Sequence, residues 1–229
     1  MILLVQKCKM LSNCIGEESL WMSGFFITFE GIEGSGKSTQ MKLLTKHLRE
    51  LNYDVVFTKE PGGTKIGEKI RQILLDPIHH KMNDRTEILL YAADRAQHVV
   101  ETIVPALESG KIVISDRYID SNIAYQGYGR GLDMKMVRRV NEWVIRDYWP
   151  DLTILLDLDV KLGLKRARDL TPDKSGDRLE RELIEFHERV RDAYLKMAEE
   201  NERFKVIDAS REPEDIFQDV LKVIKGELL

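Results

Sequence analysis

Residues Phe25-Phe26-Ile27-Thr28-Phe29-Glu30-Gly31-Ile32-Glu33-Gly34-Ser35-Gly36-Lys37-Ser38 decide the fold. The last eight read G-x-x-x-x-G-K-S, the pattern of a phosphate-binding P-loop. The first six form a β-rich run that ends in the loop. Downstream, residues 38–51 continue at helical spacing, with Leu44 and Leu48 four apart. Strand, glycine loop and helix, in that order, are what phosphate binding needs. The glycines let backbone N–H groups turn toward phosphate oxygens, and the helix N-terminus adds partial positive charge. Gly31, Ile32, Glu33, Gly34, Ser35, Gly36, Lys37, Ser38 and Thr39 are therefore expected to hold a nucleoside triphosphate. Lys37 would reach the β- and γ-phosphates, and the Ser38 hydroxyl would ligate Mg²⁺.

Working outward, short β-rich runs alternate with helical patterns. The runs are 25–30, 54–58, 111–115, 152–157 and 204–208; the helical windows are 38–51, 64–75, 84–109, 133–147, 160–169, 179–200 and 213–226. Several runs are almost continuously apolar, as in strands covered on both faces. Alternation of this kind implies an α/β fold, a doubly wound five-stranded parallel sheet flanked by helices with right-handed crossovers. Ligands then bind beyond the carboxyl ends of the strands.

The chain has 229 residues, 43% hydrophobic and 32% charged, with a net charge of -4, an ordinary globular composition that fits one large α/β domain over 22–229. Basic residues are dispersed among acidic ones, which argues against a nucleic-acid-binding face. Cys8 and Cys14 are the only cysteines, too few for a disulfide framework and suited to a reducing cytoplasm. No apolar stretch approaches the ~18 residues that cross a membrane. Residues 1–21 match a secretory signal poorly, because Lys7 and Lys9 follow the short apolar start. Met22 would make a natural beginning, so 1–21 are expected to be a disordered extension or an upstream misassigned start.

A second constellation lies at Asp116-Arg117-Tyr118, just past the strand at 111–115. An acid there can serve Mg²⁺ or its waters, and the adjacent arginine offers a planar donor fork for a phosphate. Asp157, also ending a strand, is the rival acid; Asp116 is preferred for its neighbouring Arg117. The polar stretch 168–178, with Pro172 and Gly176, reads as a loop, either a solvated connector or a lid over the phosphates.

Five segments together resemble the thymidylate kinases: Phe29–Thr39, Thr58–Thr64, Tyr91-Ala92-Ala93-Asp94-Arg95, Asp116–Gly127 and Pro150-Asp151-Leu152-Thr153. The resemblance spans roughly 22–226. It implies a three-layer P-loop kinase fold with a short lid at about 166–178, and phosphorylation of dTMP by ATP with Mg²⁺. Tyr91 stands where the family stacks an aromatic ring on thymine, and Arg95 where a thymine carbonyl is met. Asn122 and Gln126, with Ser121 nearby, correspond to residues at the polar edge of the base, and Tyr125 to a ring crowding the sugar. Arg117, aided by Arg71 in the helix after Glu60-Pro61-Gly62-Gly63, would grip the acceptor phosphate, with Glu60 also in the substrate site. Glu33 would face the acceptor's sugar and phosphate. Ser38 and Asp116 are the expected metal holders.

The family places a phosphate-stabilising arginine either in the P-loop or in the lid. Position 34 is glycine here, so the lid must supply it. Arg168 is preferred over Arg166 and Arg178, with Lys174 as a fallback. Lys37, Arg168, Arg117, Glu33 and Asp116 form the expected catalytic set, in a cytoplasmic homodimer as the family implies. A kinase for dUMP, dCMP or a deoxynucleoside is the nearest alternative. A regulatory GTPase would need an N/T-K-x-D segment, which is missing; Asp173–Gly176 fits D-x-x-G but lies in a polar loop.

Overall fold

The β-rich runs form five strands: β1 (Phe25–Glu30), β2 (Val55–Lys59), β3 (Ile112–Asp116), β4 (Leu152–Asp157) and β5 (Phe204–Asp208). The computed structural model describes residues 24–169 and 176–228, so the expectations for 1–21 and for the middle of the lid lie outside the described residues. The strands make one parallel sheet in the order β2-β3-β1-β4-β5. In the central strand, Ile27 is opposite Ile114 on one side and Leu152 on the other. Every residue of β1 after Phe25 is buried, as a strand covered on both faces requires. The chain lays β2 at one edge, returns for β3, then crosses β1 to build β4 and β5. That reversal opens a crevice at the carboxyl ends of β1 and β3.

Helix α1 (Lys37–Glu50) buries Met41, Leu44 and Leu48 along one stripe and packs beside α9 (Pro213–Glu227). Thr64 caps α2 (Lys65–Leu75) by accepting the Gly67 N–H, and α2 lies along α3 (Asp84–His98). The single helix expected over 84–109 is interrupted. A π-helical turn, Val99–Ile103, separates α3 from α4 (Val104–Glu108). Pro105 explains it: proline lacks an N–H and its ring crowds the carbonyl four residues back, which the wider turn relieves.

Two further differences bear on the crevice. Residues after Tyr118 form α5 (Ile119–Asn122) and a second π-helical turn, Ile123–Gly129, where the periodicity announces no helix. The helix expected from 179 begins only at Ile184, as α8 (Ile184–Glu200). Before it, the Asp177 carboxylate accepts the Leu179 and Glu180 N–H groups and holds a separate turn. Helices α6 (Met134–Ile145) and α7 (Val160–Asp169) complete the layers.

Candidate active site

The P-loop lies between β1 and α1 with its backbone turned inward. Gly31, Gly34 and Gly36 have φ of 136°, 69° and 91°, conformations that L side chains rarely adopt. Gly36 is the N-cap of α1 and no side chain caps it, so the first N–H groups of the helix remain available to an anion. A Cβ on Gly36 would meet nothing within 4 Å, whereas one on Gly34 would lie 2.1 Å from the Gly163 carbonyl oxygen. The loop is thus open toward the crevice and closed against α7.

Lys37 is buried and donates from Nζ to the carbonyls of Gly31 and Ile32, both at 2.9 Å. Burial, with the Arg117 charge adding to it, pulls the Lys37 ammonium down to about 8. A triphosphate in the cradle would supply the negative charge that this ammonium lacks.

Asp116 ends β3 beside the loop. Its Oδ2 accepts from Ser38 Oγ at 3.4 Å, and its Oδ1 is buried without a hydrogen-bond partner. The rival acid is occupied: Arg191 clamps both oxygens of Asp157 at 2.7 and 2.8 Å. Among the described residues, no group of three or more His, Cys, Asp or Glu is gathered to hold a metal. One hydroxyl and one orphaned carboxylate oxygen fit Mg²⁺ held chiefly by phosphates and water.

Arg117 itself has a left-handed backbone, φ 69°, fixed by its N–H donating to the Phe29 carbonyl at 3.0 Å. Its guanidinium sits 4.9 Å from the Tyr125 ring centre. Nη2 donates to Glu33 Oε1 at 3.1 Å and to Tyr125 Oη at 3.0 Å; Nη1 donates to Ser121 and Tyr194. Tyr125 Oη also donates to Glu33 Oε1 at 2.5 Å. Burial alone would raise the Glu33 carboxyl. The fully buried His187, whose Nδ1 lies 3.3 Å from Glu33 Oε2, and the Arg117 charge outweigh that and hold it well below the usual carboxylate range.

Deeper in the crevice, side chains from α3, α5 and the π-helical turn after it form a buried polar chain. Arg95 is 1% exposed; Nε donates to Glu60 Oε2 at 2.8 Å and Nη2 to the Tyr118 carbonyl at 3.0 Å. Its Nη1 donates to Asn122 and Asn141. Four of its five N–H groups are therefore engaged by protein, leaving one Nη2 hydrogen for a ligand. Asn122 donates to Gln126 Oε1 at 2.7 Å, and Gln126 donates to Glu87 Oε1 at 2.8 Å. Tyr91 is buried beside them, and Arg71, bonded to the Pro61 carbonyl at 2.9 Å, stands toward the loop after β2.

The loop, the Asp116–Arg117 pair and the polar chain face one cavity of about 840 Å³. Its wall includes Glu33 to Thr39 of the loop, Asp116 and Arg117, and Glu60, Arg71, Tyr91, Arg95, Ser121, Asn122, Tyr125 and Gln126. Gly31 and Ile32 contribute through the carbonyls that hold Lys37. Glu30, Glu87, His187 and Tyr194 are partners that the sequence reading missed. Glu87 had a legible signal, since 87, 91 and 95 are spaced by four on one helix face.

A profile of the family described as thymidylate kinase matches residues 29–220. The thymidylate kinase of Halothermothrix orenii is 61% identical over 208 residues, covering 91% of this chain and all of that protein. That of Maridesulfovibrio salexigens is 50% identical, covering 89% and 98%. The chain belongs to the thymidylate kinase family. The crystal structure of thymidylate kinase from Ehrlichia chaffeensis superposes with a TM-score of 0.71 at 37% identity, over 89% of this chain and 99% of that one. The P-loop kinase fold expected from the sequence is thereby shown.

Position 34 of the P-loop is glycine, and the three arginines considered for the lid have separate surroundings. Arg166 donates to the Ala209 carbonyl at 3.1 Å and lines the cavity. Arg168 donates to the Glu180 carbonyl at 2.9 Å and is exposed. Arg178 is buried, bonded to the Leu74 carbonyl and paired with Glu87 Oε2, both at 2.6 Å. Lys174 lies outside the described residues.

Proposed function

We propose that this chain transfers the γ-phosphoryl group of MgATP to the 5′-phosphate of dTMP, giving dTDP and ADP, as a step in dTTP synthesis. One observation carries the reading: the P-loop cradle and the Asp116–Arg117 pair line the same cavity, Ser38 3.4 Å from Asp116 and Glu33 3.1 Å from Arg117. Family membership supports the choice of dTMP.

The acceptor phosphate is already an anionic nucleophile, so no strong general base is required. What remains is positioning and charge stabilisation of a loose transition state. The loop N–H groups hold the donor's phosphates, and Lys37 leaves its carbonyl partners to reach the transferred group. Arg117 exchanges Glu33 for the acceptor phosphate. Glu33, released from Arg117, stays anionic beside His187 and faces the sugar. Tyr91 supplies an apolar π-face for the base. Ser38 and Asp116 would hold Mg²⁺, which would supply charge neutralisation to the donor's phosphates. Arg166 joins Arg168 as an arginine to complete the cationic shell, its support being a place on the cavity wall.

We infer from the family a homodimer working in the cytoplasm on small molecules, with no nucleic-acid or membrane partner. Among the described residues no helix is long and apolar enough to cross a membrane. The test is coupled ADP release with dTMP, dUMP, dCMP, dAMP, dGMP and thymidine. Turnover highest with dTMP is expected. Equal or greater turnover with dUMP, dCMP or thymidine overturns the acceptor, and ADP release independent of any acceptor overturns the kinase reading.

A further inference from the structure

Glu30 ends β1 immediately before the P-loop and is fully buried, in a strand whose other inward residues are apolar or hydroxylic. A carboxylate in that place costs free energy unless donors surround it. Three do. Oε1 accepts the Tyr118 N–H at 2.8 Å, and Oε2 accepts from Ser121 Oγ and Tyr194 Oη, each at 2.7 Å.

All three donors lead to one residue. Ser121 Oγ and Tyr194 Oη are the acceptors for Arg117 Nη1, at 3.1 and 3.2 Å. Each hydroxyl has a single hydrogen. With those hydrogens directed to Glu30, the two oxygens, 2.9 Å apart, keep lone pairs for the guanidinium. The Tyr118 N–H belongs to the peptide that follows Arg117, so its bond to Oε1 also clamps the left-handed backbone at φ 69°. One carboxylate therefore sets both the backbone and the side chain of Arg117.

The surroundings argue against a role in stability alone. Asp120 is the nearest like charge, held by Arg203 at 2.6 and 2.9 Å, and Lys37 and Arg117 are the facing cations. Burial, with the Asp120 charge next, pushes the Glu30 carboxyl up to about 7. The fold thus keeps a buried ionisable group where an apolar residue would serve packing better.

We infer that Glu30 is a positioning residue for acceptor binding, holding Arg117 in the orientation that receives the acceptor's phosphate through Ser121, Tyr194 and the Tyr118 amide. The inference rests on the proposed role of Arg117 as the acceptor-phosphate grip. In Glu30→Gln the amide oxygen can still accept the Tyr118 N–H, but its NH₂ donates to both hydroxyl oxygens. Their hydrogens must then leave residue 30 for each other or for the side of Arg117, so the guanidinium loses acceptor lone pairs.

The test is a double-mutant cycle read by calorimetric binding of dTMP and, separately, of a non-hydrolysable MgATP analogue. Glu30→Gln is expected to weaken dTMP at least about tenfold and the ATP analogue less than about twofold, with thermal stability held or raised. In an Arg117→Ala background the same substitution should change dTMP affinity less than about twofold, because the residue it positions is gone. Unaltered dTMP affinity in folded Glu30→Gln, or an equal loss in both backgrounds, overturns the inference. Tyr194→Phe, which keeps the ring and leaves Glu30 in place, gives a second reading. It should weaken dTMP about threefold in the native background and not at all beside Arg117→Ala; additivity counts against the inference. If Arg117→Ala itself leaves dTMP binding intact, the phosphate grip fails, and with it the reading on which this inference stands.

Discussion

The two halves of the cavity are built differently. The donor half, Gly31 to Ser38, is contiguous in sequence and made of backbone: left-handed glycines, an uncapped helix start and one lysine parked on carbonyls. The acceptor half is made of side chains from β1, the loop after β2, α3, α5 and α8, joined in chains such as Arg95–Asn122–Gln126–Glu87. Phosphate is recognised by N–H groups that every residue but proline has, whereas a base edge needs particular donors held at particular angles. Chemistry common to all residues can be local; chemistry that discriminates is assembled from a distance.

That contrast can be broken experimentally, starting where the effect is largest. Lys37→Ala should lower turnover at least a hundredfold, on the order of ~3 kcal/mol, with dTMP affinity nearly unchanged. Steady-state rates with calorimetric dTMP binding check it, and comparable losses in both would erase the division. Next, Gly34→Ala should cost about 2–3 kcal/mol of stability, from positive φ and a 2.1 Å approach to the Gly163 carbonyl oxygen. Gly36→Ala, strained in φ but with nothing within 4 Å, should cost about half as much. Denaturant midpoints compare the two, and equal costs would show that φ alone matters.

On the acceptor side, Gln126→Leu strips Asn122 of its acceptor while Glu87 keeps Arg130 and Arg178. The expected outcome is a tenfold weaker dTMP, about 1.4 kcal/mol, with ATP-analogue binding within about twofold. Loss of both ligands would mean that the halves share a common framework. The last test is in pH. Lys37 is protonated in the free protein below about 8 and neutral above it. Bound phosphates favour the ammonium, so kcat/KM for ATP should fall as pH rises through 8, by at most about tenfold per pH unit, while kcat holds. A fall in kcat at the same pH would place the titration elsewhere.

Legibility follows the same division. The loop, its strand and its helix were readable, and the strand windows lie within one residue of β1 to β5. The segment 119–129 was not. Its glycines, β-branched residues and aromatics are poor helix formers, and burial of Ile123, Ala124 and Tyr125 holds it helical against propensity. Asp116 and Asp157 look alike in sequence; Arg191, 34 residues from Asp157, separates them. Likewise Glu30 is just one more strand residue until Ser121 and Tyr194 arrive from 91 and 164 positions away. Which lid arginine borders the cavity depends on the side of α7 that packs, and the spacing of 166 and 168 does not fix that.

The contact between Gly34 and Gly163 limits how this chain can change. A Cβ on Gly163 would lie 2.5 Å from the Glu33 carbonyl oxygen, so the P-loop and α7 each forbid a side chain on the other at this contact. Moving an arginine from lid to loop would require separating two segments whose main chains already touch. A substitution at position 34 alone does not achieve that, so an arginine in the loop needs a compensating shift of α7.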